Sequence, residues 1–238
     1  MQSPAPLTIA DIDPVIEALL AFYSSPMACW RLSGERFYAH KEQTLGGLST
    51  LQDEAGQLNP AYQAADQPAV RHVELALTEA LTCPSDLRAF LIRFAPQARW
   101  QVTEAYRGHF DNSFFDNEAW CELIGPTGLI ASNDVRIGLL IMGPGLVYPA
   151  HRHPATEWYH VLSGTGQWAQ GSQPAMPRTP PAALFHRSDE PHAMTTHQEP
   201  VLALWSWVGA LNTSSYPVPS YPHSPDPGPS APAPPQSG

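Results

Sequence analysis

The sequence predicts a mainly β protein in which a helical N-terminal region precedes a small antiparallel barrel or sandwich. In the first half of the 238-residue chain, apolar residues recur at three- and four-residue spacing, which is typical of amphipathic helices. After Cys121 the pattern changes to short runs rich in β-branched and aromatic residues, separated by Gly and Pro. These two patterns divide the chain into helical residues 1–120, a β-barrel over 121–212 and a Pro-rich tail over 213–238.

Three segments of the first region have helical periodicity. They are residues 11–23, 70–81 and 86–94. Pro14 falls in the first turn of the first helix, where its missing N–H has no intrahelical partner to lose. Ser85 is placed to cap the third helix.

The second region contains seven predicted strands, at residues 128–131, 136–142, 157–162, 166–169, 182–185, 192–196 and 201–208. Short strands at regular spacing favour a sandwich or a closed barrel. The interior of a small barrel can hold one small ligand, so we expect the chemistry of the protein there.

The last 26 residues contain nine prolines, with Ser, Gly and Ala between them. Such a composition buries too little apolar surface to offset the entropy of ordering, so we expect a mobile, extended tail.

Charge and composition exclude several classes of partner. With 12 Lys+Arg and 22 Asp+Glu the formal charge is 12 − 22 = −10, and no basic block is present, which argues against nucleic acid and anionic membrane surfaces. No run approaches the ~18 apolar residues of a membrane span. The first residues lack the pattern of a secretory signal, so a soluble, cytoplasmic protein is expected. Cys29, Cys83 and Cys121 have no short spacing, so we expect free thiols.

The most informative segment of the chain carries two histidines and a glutamate. On a strand, His151 and His153 point to the same face, because side chains alternate with a period of two. Glu157 follows four residues later, across a turn. Two imidazoles and a carboxylate form a cradle for one divalent transition metal ion, Fe²⁺, Mn²⁺, Zn²⁺, Co²⁺ or Ni²⁺, rather than for Mg²⁺ or Ca²⁺, which bind mostly oxygen.

This segment resembles the first motif of the cupin superfamily, and every fixed position is present: Gly145-x5-His151-x-His153-x3-Glu157-x6-Gly164. The resemblance implies a double-stranded β-helix, or jelly-roll, barrel. It also implies one further histidine ligand from a strand across that barrel.

The candidates for this further ligand are His186, His192 and His197. His192 is favoured because it begins a predicted strand at a suitable distance after Glu157, although the Gly and Asn of the general second motif are missing around it. His160 is predicted to lie outside the barrel interior, because strict alternation places it on the opposite face from Glu157.

Two tyrosines accompany the predicted metal ligands. Tyr159 lies two residues after Glu157 and shares its face. A metal cation bound beside it would lower the pKa of the phenol and favour a phenolate that acts as a base. Strict alternation places Tyr148 on the opposite face from His151. Pro149 disturbs any regular strand there, so a bend that brings Tyr148 inward stays open.

With these tyrosines the segment is similar to the cupin-type dimethylsulfoniopropionate (DMSP) lyases, and most similar to their longer members, named DddL. The resemblance rests on the Pro-His192 pair and on one spaced motif, Tyr148-x2-His151-x-His153-x3-Glu157-x-Tyr159. It implies a small zwitterionic sulfonium carboxylate as substrate, and dimethyl sulfide and acrylate as products.

The resemblance also implies a role for each residue. Tyr159 would remove the proton alpha to the substrate carboxylate, and Tyr148 would assist as second base, hydrogen-bond partner or metal neighbour. The metal ligands would be His151, His153, Glu157 and His192. Aromatic faces can attract a sulfonium, and the β region offers Trp158, Trp168, Phe185, Trp205 and Trp207.

Two other functions share these ligands. One is a metal-dependent cupin of another reaction type, a dioxygenase or an isomerase of a small acid, and a requirement for O2 would identify the former. The other is a cupin that binds a small ligand without turnover. No helix-turn-helix with a basic face accompanies the barrel, which argues against a regulator. A homodimer is expected, with the helical region packed against a second copy.

Overall fold

The computed structural model describes residues 6–26, 28, 32–219 and 221. The α-helices in this part of the chain are α1 Ile12–Ser24, α2 Glu35–Asp53, α3 Val73–Glu79, α4 Ser85–Phe94 and α5 Asn112–Asn117. The strands are β1 Glu118–Gly125, β2 Ile130–Ala131, β3 Arg136–Met142, β4 Val147–Arg152, β5 Thr156–Ser163, β6 Gly166–Gln170, β7 Gln173–Arg178, β8 Ala183–His186, β9 His192–Thr196, β10 Val201–Val208 and β11 Tyr216–Pro217.

The predicted barrel with a helical N-terminal region is confirmed, and helix and strand content are roughly equal in the described residues. The sequence analysis missed α2, the longest helix. Its sequence is mostly polar and contains Gly46 and Gly47 in succession, so the apolar periodicity of an amphipathic helix is weak.

The three predicted helices are present with shifted ends. Residues 70–81 form a 3-10 turn, Pro68–His72, followed by the shorter α3. Ser85 is the first residue of α4 instead of its cap, and Pro84 takes the capping position without a side-chain hydrogen bond. Such differences of one or two residues at helix ends are common.

The strands form two sheets that enclose a barrel interior, as the cupin resemblance implied. The six-stranded sheet has the order β2-β1-β3-β10-β5-β8, and the five-stranded sheet has the order β11-β4-β9-β6-β7. All neighbouring strands are antiparallel except β1 and β2.

All seven predicted strands are present, and β3, β9 and β10 have the predicted bounds. Two other strands lie outside the seven: β4, around His151, where a strand was assumed without bounds, and β11, in the predicted tail. Two further strands of the barrel, β1 and β7, were not predicted at all. The first crosses the predicted boundary at residues 120 and 121, and its alternate residues include Glu118 and Glu122. The second contains Pro174 and Pro177 and lies at a sheet edge, where a missing N–H is tolerated.

The six-stranded sheet packs on different partners with its two faces. In β5, Tyr159 and Val161 pack in the barrel interior, whereas Trp158 and Leu162 pack in the core formed with the helices. The N-terminal helices therefore cover one face of this sheet and leave the other face to line the interior.

The first residues of the predicted tail belong to the fold. Tyr216 and Pro217 form β11, which pairs with β4, and the Val218 amide donates a hydrogen bond to Ala150 O at 2.7 Å. Tyr221 Oη donates to Gly171 O at 2.6 Å. This attachment uses backbone pairing and one tyrosine hydroxyl, which the Pro-rich composition does not reveal. Residues 220 and 222–238 of the predicted mobile tail lie outside the described residues.

Two of the three cysteines are described, and both Cys83 and Cys121 are free and buried. Cys29 lies outside the described residues. In the part of the chain that the structure covers, no helix combines the length and apolar character needed to cross a membrane. The cytoplasmic location and the homodimer stay predictions.

Candidate metal centre

Three of the four predicted ligands lie together in the barrel interior. His153 follows β4, Glu157 is in β5 and His192 begins β9. Glu157 Oε2 lies 3.0 Å from His153 Nε2 and 3.4 Å from His192 Nε2. One ligand atom from each residue falls within 4.8 Å of the others, and all three side chains are buried. These residues therefore have the arrangement of a metal-binding triad.

The backbone orients each predicted histidine ligand in the same way. The Nδ1 atoms of His151, His153 and His192 lie 2.9–3.0 Å from the carbonyl oxygens of Pro149, Ala155 and Glu190. Because a carbonyl only accepts, each Nδ1 carries a proton, and each Nε2 is directed into the interior, where it can bind a metal once it holds no proton. The buried His192 Nε2 has no hydrogen-bond partner, which fits a position reserved for a ligand bond.

His151 occupies a neighbouring position. Its ring stacks on Tyr148 at 4.3 Å and lies 4.1 Å from the His192 ring, but 6.5 Å from the His153 ring. The cluster of three ligand atoms does not include it. His151 as a fourth ligand therefore stays a prediction.

Trp207 supports the glutamate of the triad. Its Nε1–H donates to Glu157 Oε1 at 2.6 Å, and its ring lies 4.2 Å from the His153 ring. Burial alone would raise the pKa of Glu157, but His153 and His192 hold it well below its usual value, so the carboxyl is ionised. The sequence predicts Trp207 only as one of the aromatic faces of the β region, not as a hydrogen-bond donor to Glu157.

His186, the second choice for the distant ligand, also lies in the barrel interior. It pairs opposite Glu157 in the β5–β8 ladder, and its ring stacks on His192 at 4.0 Å and 13°. Burial and the neighbouring His192 lower the pKa of His186 well below its usual value, so the ring is neutral. The third choice, His197, is exposed.

Tyr159 faces the interior, and His160 faces the helices, as alternation along β5 predicts. The Tyr159 ring lies 5.2 Å from Trp168 and 5.8 Å from His186. The His160 ring instead lies 4.7 Å from Phe22, in the core formed with the helices. Burial raises the pKa of Tyr159 well above its usual value, and the Glu157 carboxylate adds to the increase.

Tyr148 also faces the interior, so strict alternation along β4 is wrong at this point. The β4–β9 ladder shifts register between Tyr148 and His151, which is a β-bulge around Pro149. The bulge inserts one extra residue, so Tyr148 and His151 face the same side and stack. Burial raises the pKa of Tyr148 well above its usual value, with further increases from Tyr106 and Glu118.

His153 and Glu157 of the metal triad line a cavity of about 360 Å³. Its wall contains Tyr148, Tyr159, Trp205 and Trp207 from predicted strands. It also contains residues that the sequence analysis missed, namely Glu118, Trp120, Leu140, Arg136 and the start of the tail, Thr213 to Ser215. The sequence does contain a signal for β1 in the alternation of two kinds of side chain. Polar or aromatic residues (Glu118, Trp120, Glu122) alternate with small or apolar ones (Ala119, Cys121, Leu123).

The other predicted aromatic residues face different surroundings. Trp158 and Phe185 pack with the helices, and Trp168 packs in the interior. The two tryptophans of β10 line the cavity, where the Arg136 guanidinium lies 4.9 Å from the Trp207 ring and 5.7 Å from the Trp205 ring. A protein cation therefore already contacts the tryptophan end of the cavity.

Comparison with known proteins gives one consistent family. The model of the dimethylsulfoniopropionate lyase family matches residues 39–203. The dimethylsulfoniopropionate lyase DddQ of Ruegeria pomeroyi is 32% identical over 218 residues, covering 88% of this chain and 96% of the relative. The crystal structure of that DddQ superposes with a TM-score of 0.64 at 29% identity, covering 86% of this chain and 96% of the other.

A second relative is more distant. The putative dimethylsulfoniopropionate lyase DddL of Cereibacter sphaeroides is 29% identical over 93 residues, which is 39% of each chain. The likeness to DddL-type members predicted from the sequence is therefore real but secondary to the likeness to DddQ.

Proposed function

Because the chain belongs to the dimethylsulfoniopropionate lyase family, we propose that its metal triad and Tyr159 together carry out the β-elimination of DMSP. The family membership makes the protein a carbon–sulfur lyase. The observation that supports this mechanism is the position of Tyr159 on the wall of the same cavity as His153 and Glu157, which form the triad with the buried His192.

The three residues of the triad would hold one divalent transition metal ion, with His151 as a candidate fourth ligand. Imidazole and carboxylate donors suit Fe²⁺, Mn²⁺, Zn²⁺, Co²⁺ or Ni²⁺. When bound, such an ion supplies a Lewis-acid position for a carboxylate and a positive charge near the phenols.

Tyr159 is the proposed base. Its burial and the Glu157 charge disfavour the phenolate, so positive charge within the triad is needed to counter both effects. The phenolate would take the proton from the carbon alpha to the substrate carboxylate. The electrons of that C–H bond form the new C=C bond, and the C–S pair leaves with sulfur. The products are dimethyl sulfide, acrylate and a protonated Tyr159.

Tyr148 is the proposed assistant. Its ring stacks on His151 at 4.3 Å, and it lines the same cavity as Tyr159. From that position its hydroxyl can hydrogen-bond to substrate or act as a second base. A sulfonium is a good leaving group, so the reaction needs no general acid at sulfur.

The test is the release of dimethyl sulfide, measured by headspace gas chromatography. Purified protein is stripped with chelator, reloaded with each metal separately and incubated with DMSP under nitrogen. Tyr159→Phe and Tyr148→Phe are compared with Tyr23→Phe, a tyrosine buried on the helix side of the sheet. We expect metal-dependent release without O2 and a loss of about 100-fold or more in kcat for Tyr159→Phe, since a general base contributes 10²–10⁴-fold.

The other outcomes separate the parts of the proposal. Release that survives in Tyr159→Phe but not in Tyr148→Phe would move the base to Tyr148. Release that is unchanged by chelation would refute the metal requirement. If no metal supports release, the substrate assignment fails, and O2 uptake with small acids becomes the next assay.

A further inference from the structure

Glu118, at the start of β1, is a buried carboxylate that the elimination described above does not use. Its side chain is fully buried, and neither carboxylate oxygen has a hydrogen-bond partner. Buried acids are normally paired, because an unpaired carboxylate away from water is costly. Glu118 therefore lacks the hydrogen-bond donor or cation that normally accompanies a buried acid.

The missing counterpart belongs in the cavity. Glu118 lines the same cavity as Tyr148, Tyr159 and two residues of the metal triad, His153 and Glu157. Leu140 and Trp120 belong to the same wall. When it is ionised, Glu118 raises the pKa of Tyr106, Tyr148 and Tyr159, so its charge acts on all three phenols that face this end of the interior. No described Lys or Arg forms an ion pair with it.

The other two carboxylates of the cavity wall already have partners. Glu104 is exposed and pairs with Arg107 at 2.7 Å. Glu157 contacts His153 and accepts from Trp207. At the tryptophan end of the wall, the cation Arg136 lies over the indole rings and pairs with Glu122 at 2.5 Å. Glu118 is therefore the carboxylate of this wall that is free to neutralise a ligand cation.

A sulfonium suits this position chemically. Its positive charge is spread over methyl and methylene groups, and it has no N–H or O–H to donate. Recognition must therefore come from a nearby negative charge and from aromatic faces. The unpaired carboxylate of Glu118 offers the negative charge, and Tyr148 and Trp120 in the same wall offer the aromatic faces.

We propose that Glu118 is the specificity-determining counter-charge for the sulfonium group, so that the cavity selects small acids with a cationic end. This inference rests on the proposed function for the identity of the cation. It is distinct from the metal and the base, because Glu118 acts on the end of the substrate that leaves.

Binding of two isosteric, unreactive acids tests the inference without turnover. One is 3-(trimethylammonio)propanoate, which carries a permanent cation, and the other is 4,4-dimethylpentanoate, in which carbon replaces nitrogen. Calorimetry on the Zn²⁺-loaded full chain gives both affinities for wild type, Glu118→Gln and the matched control Glu104→Gln. We expect Glu118→Gln to weaken the binding of 3-(trimethylammonio)propanoate by on the order of tenfold or more. The affinity for 4,4-dimethylpentanoate should not change. Glu104→Gln should change neither.

A second readout reports the charge itself. Burial raises the pKa of Glu118 well above its usual value, so a cation beside it lowers that pKa and expels the proton. Wild type should therefore release a proton on binding the cationic acid, measured in two buffers of different ionisation enthalpy. Glu118→Gln should not, whereas Glu118→Asp, which keeps the charge, should retain part of the preference.

The outcomes also separate this inference from the proposed function. If Glu118→Gln weakens both acids equally, the residue shapes the cavity and the inference is overturned. It is also overturned if wild type cleaves DMSP and Glu118→Gln binds both acids as wild type does. If wild type does not cleave DMSP but shows the Glu118-dependent preference, the proposed function fails and the cation site stands.

Discussion

Replacing Trp207 by Phe removes one hydrogen bond from the metal triad while keeping an aromatic ring over His153. The lost bond is the one from the Trp207 indole N–H to Glu157 Oε1, at 2.6 Å. This bond fixes Glu157 Oε1 and so keeps Oε2 directed at His153 and His192. Without the bond, the carboxylate can rotate away from that orientation. We therefore expect weaker metal binding with little change in the fold.

The magnitude follows from the type of bond. A hydrogen bond to a charged acceptor contributes about 1.5–3 kcal/mol. Trp207 is half-buried and lines the cavity, so water can replace part of what the indole provides, and the lower end of this range applies. About 1.5 kcal/mol corresponds to roughly tenfold weaker metal binding, within the range known for residues that support a metal ligand.

The assay is competition for Zn²⁺ against a chromophoric chelator. Trp205→Phe is the matched control, since it makes the same substitution two residues away on the same cavity-facing side of β10. We expect roughly tenfold weaker Zn²⁺ binding for Trp207→Phe and less than twofold for Trp205→Phe. Equal affinities in the two variants would refute the role assigned to the indole N–H.

Three further predictions concern the fold around the site. Gly138→Ala places a Cβ against the facing backbone of β1, so we expect the free energy of unfolding to fall by about 2–4 kcal/mol. Gly46→Ala adds its Cβ in open space within α2 and should raise that free energy by about 1 kcal/mol. Urea unfolding measures both changes. Burial lowers the pKa of His40 to about 3 in the folded chain. Below the ordinary histidine pKa of about 6.5, the unfolded chain therefore binds a proton at His40 and the folded chain does not. The free energy of unfolding consequently falls as the pH drops. His40→Gln should reduce that slope by about 1.4 kcal/mol per pH unit between pH 4 and 6, and an unchanged slope would contradict the burial argument. Truncation after Asn212 removes β11 and the Ser215 part of the cavity wall, so thermal unfolding should occur at lower temperature, and a full-length melting temperature would argue against a structural role for this segment.

The strands of the barrel were predictable where their sequences are apolar and bounded by Gly or Pro. The run over β10 is nearly continuous in apolar residues, because both faces of that strand are buried. The metal triad was predictable for a related reason, since His153 and Glu157 belong to one local segment whose spacing fixes their geometry.

The missed helix α2 depends on tertiary contacts instead. Gly47 lies so close to the chain after β2 that an added Cβ would meet Val135 Cγ1 at 2.9 Å. A glycine chosen for close approach lowers helix propensity, and the partner that compensates for it lies far along the sequence. Propensity and periodicity do not contain that information.

The site illustrates the same division between local and distant information. Each predicted histidine ligand is oriented by a backbone carbonyl two residues away, so the local sequence accounts for the orientation of the imidazoles. Tyr148 depends on a bulge, and Glu118 and Trp207 enter the cavity through the register of β1 and β10. All three line the cavity beside the candidate metal ligands. It follows that the local motif carries the candidate metal ligands, whereas the proposed selection of substrate charge depends on Glu118, which lies on a strand outside it. Two chains with identical motifs but different residues at the position of Glu118 should therefore differ in the charge of the acid that they accept.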